Sequence, residues 1–171
     1  LFLLFAAKIM QTTEQNILEI LNKVFDPEIP VLSIQDLGII REINLTGNVP
    51  VITITPTYSG CPAMTMIELE MRAALLDAGI TNFEIKTVLS PPWTTDWISE
   101  NGLKKLNEYG IAPPQKTSHS KLALFGKDAE VACPQCGSKQ TEMVSRFGST
   151  ACKAMYKCLE CKEPFDYFKC I

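Results

Sequence analysis

The sequence predicts an α+β domain followed by a small metal-stapled ribbon. Three observations carry this. Apolar stripes at helical period alternate with short runs rich in Ile, Val and Thr over residues 14–112, residues 113–129 show little period, and residues 130–171 hold two C-x-x-C pairs. The expected order is α-β-β-α-β-α, helices gathered on a small mixed sheet, and then a four-cysteine zinc ribbon.

The first helix is expected over residues 13–25, where Ile17, Leu18, Ile20, Leu21, Val24 and Phe25 form a wide apolar stripe. Thr12 or Thr13 can cap its start. The run Asp26-Pro-Glu-Ile-Pro30 ends it, because proline lacks a donor and disfavours αR in the residue before it. Residues 39–45 and 49–55 read as strands joined through Thr46-Gly-Asn48, a β-hairpin. A second helix should start at Pro62, bury Met64, Ile67, Met71 and Leu75, and stop at Gly79. Residues 83–89 are a third strand, and a helical stretch follows at about 95–109, ending at Gly110. Residues 113–129, with Pro113, Pro114, Ser118 and Ser120, read as a linker in which Leu122, Leu124 and Phe125 can dock on a domain face. In the ribbon, Gln140–Phe147 and Lys153–Lys157 are the expected strands.

The chain has 171 residues, 46% apolar and 20% charged, with a net charge of −3, which suits a globular protein and not one built to hold phosphate backbones. Residues 130–171 carry six Lys/Arg against five Asp/Glu, and four metal-bound thiolates would make the module net negative, so nucleic acid is not an expected partner. The apolar start, residues 1–10, is too short to span a bilayer and lacks a preceding basic residue. Residues 1–13 are read as an extra segment outside the native structure; within it residues 1–9 are read as upstream sequence and Met10 as the natural start, with a signal-peptide core as the alternative. No other stretch suits a membrane, so the expected location is the cytoplasm.

Six of the seven cysteines lie after position 132, in close pairs, which indicates metal chemistry in a reducing compartment. Cys133-Pro-Gln-Cys136 and Cys158-Leu-Glu-Cys161 are two knuckles with 21 residues between them. Each tight turn brings two thiolates together, and two turns complete a tetrahedron that zinc accepts without redox chemistry. Iron in the same four sulfurs is the alternative. Cys152 and Cys170 are either incidental thiols or auxiliary ones that hold or pass a metal ion or cluster. Cys61 precedes the helix at Pro62, where unpaired N–H groups favour thiolate, so it is either a buried structural cysteine or a partly exposed, fast-alkylating one. The one histidine, His119, lies in the linker, too far for a Cys/His pair, and no glycine-rich phosphate loop is present. Asp26 and Glu28 read by themselves as a helix stop, and Trp93 and Trp97 as core or interface aromatics. The residues make a thin case for an enzyme.

Asp26-Pro-Glu-Ile-Pro30, Asp36-Leu-Gly-Ile39, Thr57-x-Ser-Gly-Cys61-Pro62 and Pro91-x-Trp93-Thr94 together resemble the SufT-like iron–sulfur assembly domain, over about residues 14–112. Gly110-Ile-Ala-Pro-Pro114, Cys133-Pro-x-Cys136-Gly-Ser138, Phe147-Gly-Ser-Thr-Ala-Cys-Lys153 and Cys161-Lys-Glu-Pro-Phe-Asp-Tyr-Phe-Lys169 narrow the resemblance to the PaaD (PaaJ) family. The resemblance implies an accessory protein of the phenylacetyl-CoA epoxidase system in aerobic phenylacetate catabolism, not its catalytic subunit. Its implied role is maturation of iron–sulfur or di-iron centres. It ties the position of Cys61 to cluster handling, places Asp26 and Glu28 in a signature loop, and implies a transient iron or iron–sulfur cargo beside the structural zinc. The partners implied are the epoxidase subunits, and a homodimer is compatible with it. A docking subunit with a purely structural ribbon is the alternative.

Overall fold

The structure is a computed structural model that describes residues 13–47, 49–114 and 131–169. Residues 1–12, the linker with His119, Leu122, Leu124 and Phe125, and Cys170 lie outside the described residues.

Helix α1, Glu14–Leu21, starts where the Thr13 hydroxyl accepts the Asn16 N–H at 3.2 Å, and Ile17 and Leu21 face the core. It ends four residues before the stripe does. Lys23 and Val24 bond back to the carbonyls of Ile20 and Leu21, which tightens the turn, and Phe25 then pairs with Ser33 as a β-bridge and is 41% exposed. The 26–39 segment that follows is turns and bends apart from the bridge at Ser33, yet it buries Ile29, Leu32, Ile34, Leu37 and Ile39.

The hairpin forms as expected. β1, Ile40–Asn44, runs antiparallel to β2, Val51–Ile54, with Asn44 opposite Val51. Helix α2, Ala63–Asp77, buries Ala63, Met64, Ile67, Met71 and Leu75. Pro62 is its cap rather than its first residue, and Gly79 stops it at φ +84°. Strand β3, Glu84–Thr87, then pairs with β2 in parallel, completing the sheet β1-β2-β3. The single helix expected at 95–109 is two elements, because two capping side chains stand in series. Thr94 caps a 3-10 turn, Thr95–Trp97, and Ser99 caps α3, Glu100–Glu108, accepting the Gly102 N–H at 2.9 Å.

One buried carboxylate ties these pieces together. Asp36 accepts from Ser99 Oγ at 2.8 Å, Asn101 Nδ2 at 3.0 Å and Lys105 Nζ at 2.6 Å, and its own N–H reaches Ser33 Oγ at 3.1 Å. Next to it, Leu37 O takes the Trp93 indole N–H at 2.9 Å. Gly38 has φ +66°, and a Cβ there would lie 2.3 Å from Trp97 O, so no larger residue fits. Burial opposes the charge on Asp36, but Lys105, Ser99 and Asn101 outweigh it and bring its pKa down to about 2.

The second sheet has the order β4-β7-β6-β5. β5, Thr141–Ser145, and β6, Lys153–Cys158, match the expected ribbon strands. β7, Pro164–Phe168, is a further strand antiparallel to β6. β4, Ile111–Ala112, comes from the end of the first module but pairs in parallel with β7, so a boundary after residue 112 separates a strand from its sheet. Cys152 and Phe168 leave the ribbon's own core and pack into the first module's, where the Phe168 ring meets Trp93 edge-on at 6.1 Å.

Two outcomes follow from this packing. Asp36→Asn should lower stability at neutral pH by about 2 kcal/mol, the equivalent of the depressed pKa. In the parent protein that contribution is complete above about pH 4 and is lost as pH falls through about 2. Chemical melts from pH 7 to 2 check this, since the variant should lack that component. Phe168→Ala should destabilise by about 3 kcal/mol and lower the melt reported by Trp93, although it lies in the other module. An unchanged Trp93 transition would mean that the seam carries no stability.

Candidate metal centre and a thiol junction

The four sulfurs of Cys133, Cys136, Cys158 and Cys161 converge, all within 4.8 Å of one another. Sγ of Cys133 is 3.7 Å from that of Cys161, and Sγ of Cys136 is 3.6 Å from that of Cys158. A tetrahedral ion with bonds of about 2.3 Å to sulfur sets its sulfurs about 3.8 Å apart, so the set fits one such ion. Two similar knuckles build it. Cys133 O accepts the Gly137 N–H at 2.8 Å, and Glu163 O accepts the Cys158 N–H at 3.0 Å. The residue after each second cysteine is left-handed: Gly137 at φ +75° and Lys162 at φ +68°. Cys133 and Cys158 are buried, while Cys136 and Cys161 face solvent. Burial works against ionisation of Cys158, but the N–H groups of Cys161 and Glu160 and the neighbouring thiols of Cys161 and Cys136 outweigh it and lower its thiol pKa. The set is closed: four protein sulfurs leave no position for another ligand.

Of the remaining predicted residues, Glu28 and Cys152 meet at the junction of the modules, and Asp26 lies in the same loop as Glu28. The Asp26 side chain folds its own loop, with Oδ1 accepting the N–H groups of Glu28 at 2.7 Å and Ile29 at 2.9 Å. Burial raises its pKa against those bonds and against Lys153. Glu28 turns toward the ribbon. Its Oε2 is 3.9 Å from Cys152 Sγ, and its backbone O accepts from Lys153 Nζ at 3.2 Å. The ribbon loop that delivers Cys152 is tight. Gly148 N–H bonds to Lys153 O at 2.8 Å, and a Cβ on Gly148 would lie 2.8 Å from Asp166 Oδ1.

Cys61 is half-buried at the start of α2, as its position suggested, but its acidity runs opposite to expectation. Burial pushes its thiol pKa up. The Ala63 N–H and the Thr57 hydroxyl favour the anion, whereas Glu28 and Asp26 oppose it. The helix-start effect is present and is outweighed, so a metal-free Cys61 is predominantly a thiol at neutral pH rather than a fast-alkylating thiolate. Cys152 behaves alike: burial raises its pKa, Thr150 and Lys153 counter it, and the same two carboxylates add to it. The Tyr58 phenol, also pushed up to about 12, by burial and then by Cys61, Glu28 and Cys152, lies within the field of all three. Sequence reasoning missed Tyr58, Lys153 and Thr150. Each lies within three residues of a predicted one in the chain, but nothing local joins Glu28 to a lysine 125 residues away.

Comparison with known proteins agrees with both halves. Residues 117–169 match the family model of the PaaD zinc beta ribbon domain, and residues 14–83 match that of an iron-sulfur cluster assembly protein. The chain is 48% identical over 153 residues to an Escherichia coli (strain K12) protein provisionally named as a subunit of 1,2-phenylacetyl-CoA epoxidase, covering 89% of this chain and 90% of that one. It is 33% identical over 96 residues to an Fe-S protein maturation auxiliary factor of Porphyromonas gingivalis (strain ATCC BAA-308 / W83), covering 55% of this chain and 90% of the relative. A crystal structure of a domain of unknown function, DUF59, from Bacillus anthracis superposes with a TM-score of 0.50 at 29% identity, covering 54% of this chain and 90% of that one.

Cys136→Ser should abolish stoichiometric metal binding, read by metal analysis of the purified protein, and residues 131–169 should lose protection from hydrogen exchange. A ribbon that stays protected without bound metal would contradict this.

Proposed function

Because the chain belongs to the PaaD family and matches the Escherichia coli epoxidase protein over most of its length, we propose that it is a non-catalytic accessory protein of the phenylacetyl-CoA epoxidase system. It serves aerobic phenylacetate catabolism by maturing the iron–sulfur or di-iron centres of the epoxidase subunits, its partners. The observation that carries this reading is the pairing of unlike sites in one chain. One is a closed four-sulfur set. The other is a half-buried Cys61 in the field of Asp26 and Glu28, within a chain whose first module matches the iron–sulfur assembly family.

The two sites suit different cargo. The closed set takes zinc as a structural ion, whose binding free energy is also folding energy for the module. The Cys61 site supplies too few donors to retain an ion, which suits an iron or cluster that arrives and leaves. Burial, with a smaller contribution from the carboxylates, keeps the free thiol protonated, so Cys61 is guarded until a cation displaces the proton. Among the described residues no helix is long and apolar enough to cross a membrane, in keeping with work in the cytoplasm. The docking-subunit reading draws on Val144 and Phe147, 57% and 68% exposed on and just beyond the edge strand β5. The two readings differ on Cys61. Cys61→Ser co-produced with the epoxidase subunits should lower both the iron content and the activity of the complex, while the variant itself folds and keeps its zinc. Normal iron and activity would favour docking alone.

A further inference from the structure

Helix α2 is apolar on two faces. One is the buried face of Met64, Ile67, Met71 and Leu75. The other carries Met66, Leu69, Ala73 and Leu76, all exposed, with Met66 at 47%, Leu69 at 62% and Leu76 at 50%. At about 100° of turn per residue, this second stripe lies diametrically opposite the first. A surface helix ordinarily turns one apolar stripe to the core and a polar face to water. The other two α-helices do so: the exposed positions within α1 and α3 hold only Glu, Gln, Asn and Lys. The outer face of α2 is therefore an apolar surface on a helix that is already anchored by its opposite side.

The stripe advances by three, four and three residues, the spacing of successive a and d positions in a coiled coil. Its two flanks differ in charge. Arg72 lies beside Leu69 and Leu76, whereas Glu70 and Asp77 lie on the other side, beside Met66 and Ala73. All three charged residues are exposed, and among the described residues none of them forms an ion pair. Arg72 is steadied on its flank by Phe83, its guanidinium carbon 5.9 Å from the ring centroid.

We propose that this face of α2 receives a second copy of the chain, the two α2 helices lying side by side and parallel about a two-fold axis. Each stripe residue then meets its own counterpart, Leu69 on Leu69 and Leu76 on Leu76, and Ala73 on Ala73 lets the backbones approach. The positive flank of one copy faces the acidic flank of the other. Arg72 stands at a g position and Asp77 at the e position five residues on, so each Arg72 meets an Asp77 across the interface, twice per dimer. An antiparallel pair would instead set Glu70 and Asp77 against the same two acids of the other copy, which like-charge repulsion opposes. The charges thus select both the occupant and its orientation. The stripe is short, so the dimer exchanges with monomer rather than being obligate.

Sedimentation velocity of the full chain, with zinc in its ribbon, tests this over the micromolar range. A concentration-dependent dimer is expected. Leu69→Glu should weaken it at least tenfold while leaving circular dichroism and zinc content unchanged, because that side chain faces water in the monomer. Arg72→Asp and Asp77→Arg should each weaken the dimer too, since each sets like charges at both contacts. Mixing these two variants should restore it, because the mixed pair has opposite charges at both contacts. Should Leu69→Glu fail to fold, the charge variants decide alone. A monomer at every concentration would overturn the proposal, as would a dimer that Leu69→Glu leaves intact. Tighter self-association of Asp77→Arg by itself would indicate the antiparallel arrangement and overturn the parallel one. If Leu69→Glu weakens only co-purification with the epoxidase subunits, the face belongs to them and self-association is overturned.

Discussion

Four sulfur atoms hold the C-terminal ribbon in register, and the junction depends on them. The ribbon's own buried cluster amounts to Ala112, Val131, Cys133, Ala154, Tyr156, Cys158 and Phe165, two of which are themselves ligands. A core that small does not offset the entropy of ordering about forty residues. Closing Cys133, Cys136, Cys158 and Cys161 on one ion makes the sheet β5-β6-β7 a fixed object. Only a fixed sheet can hold the 148–152 loop against its neighbour and set Phe168 on Trp93.

The other side of the junction is held by charge and hydrogen bonding. Asp36 joins the turn at 33–38 to α3 through Ser99, Asn101 and Lys105. That fixes Leu37, whose carbonyl holds Trp93, and Trp93 is the surface that Phe168 meets. A family-like motif at Asp36-Leu-Gly-Ile39 thus acts as scaffold. The Asp26-Pro-Glu loop does both jobs: Asp26 folds the backbone and so aims Glu28 at the ribbon.

What could be read from the sequence is what local chemistry decides. The knuckle spacing pointed to the four cysteines whose sulfurs converge, because four thiols at two tight turns have few other uses. The apolar period gave α2 and its buried face, and Gly79 its end. The 26–39 segment hid its core because turns bury residues without any period. The 95–109 stretch hid its break because Thr94 and Ser99 are both competent caps, and only the packed chain uses both. The second knuckle hid its left-handed residue, since Lys162 stands where the first knuckle has Gly137. Cys61 shows the limit most clearly. Its helix-start partners lie within a few residues and were legible, whereas the burial and the carboxylates that outweigh them come from chain folded elsewhere.

The pairing of β4 with β7 has a consequence for biosynthesis. Ile111 is matched with Asp166, so a strand at the end of the first module waits for a partner made much later. Such non-local pairing forms slowly, after local elements have settled. As the chain leaves the ribosome, the first module emerges with Trp93 uncovered and Cys61 alone. The four ribbon cysteines follow, and the strand bearing Phe168 comes after them. The seam can dock only after that last strand is made. A nascent chain whose ribbon stays unfolded would leave β4 unpaired and Trp93 uncovered, in the form that quality-control proteases and chaperones recognise.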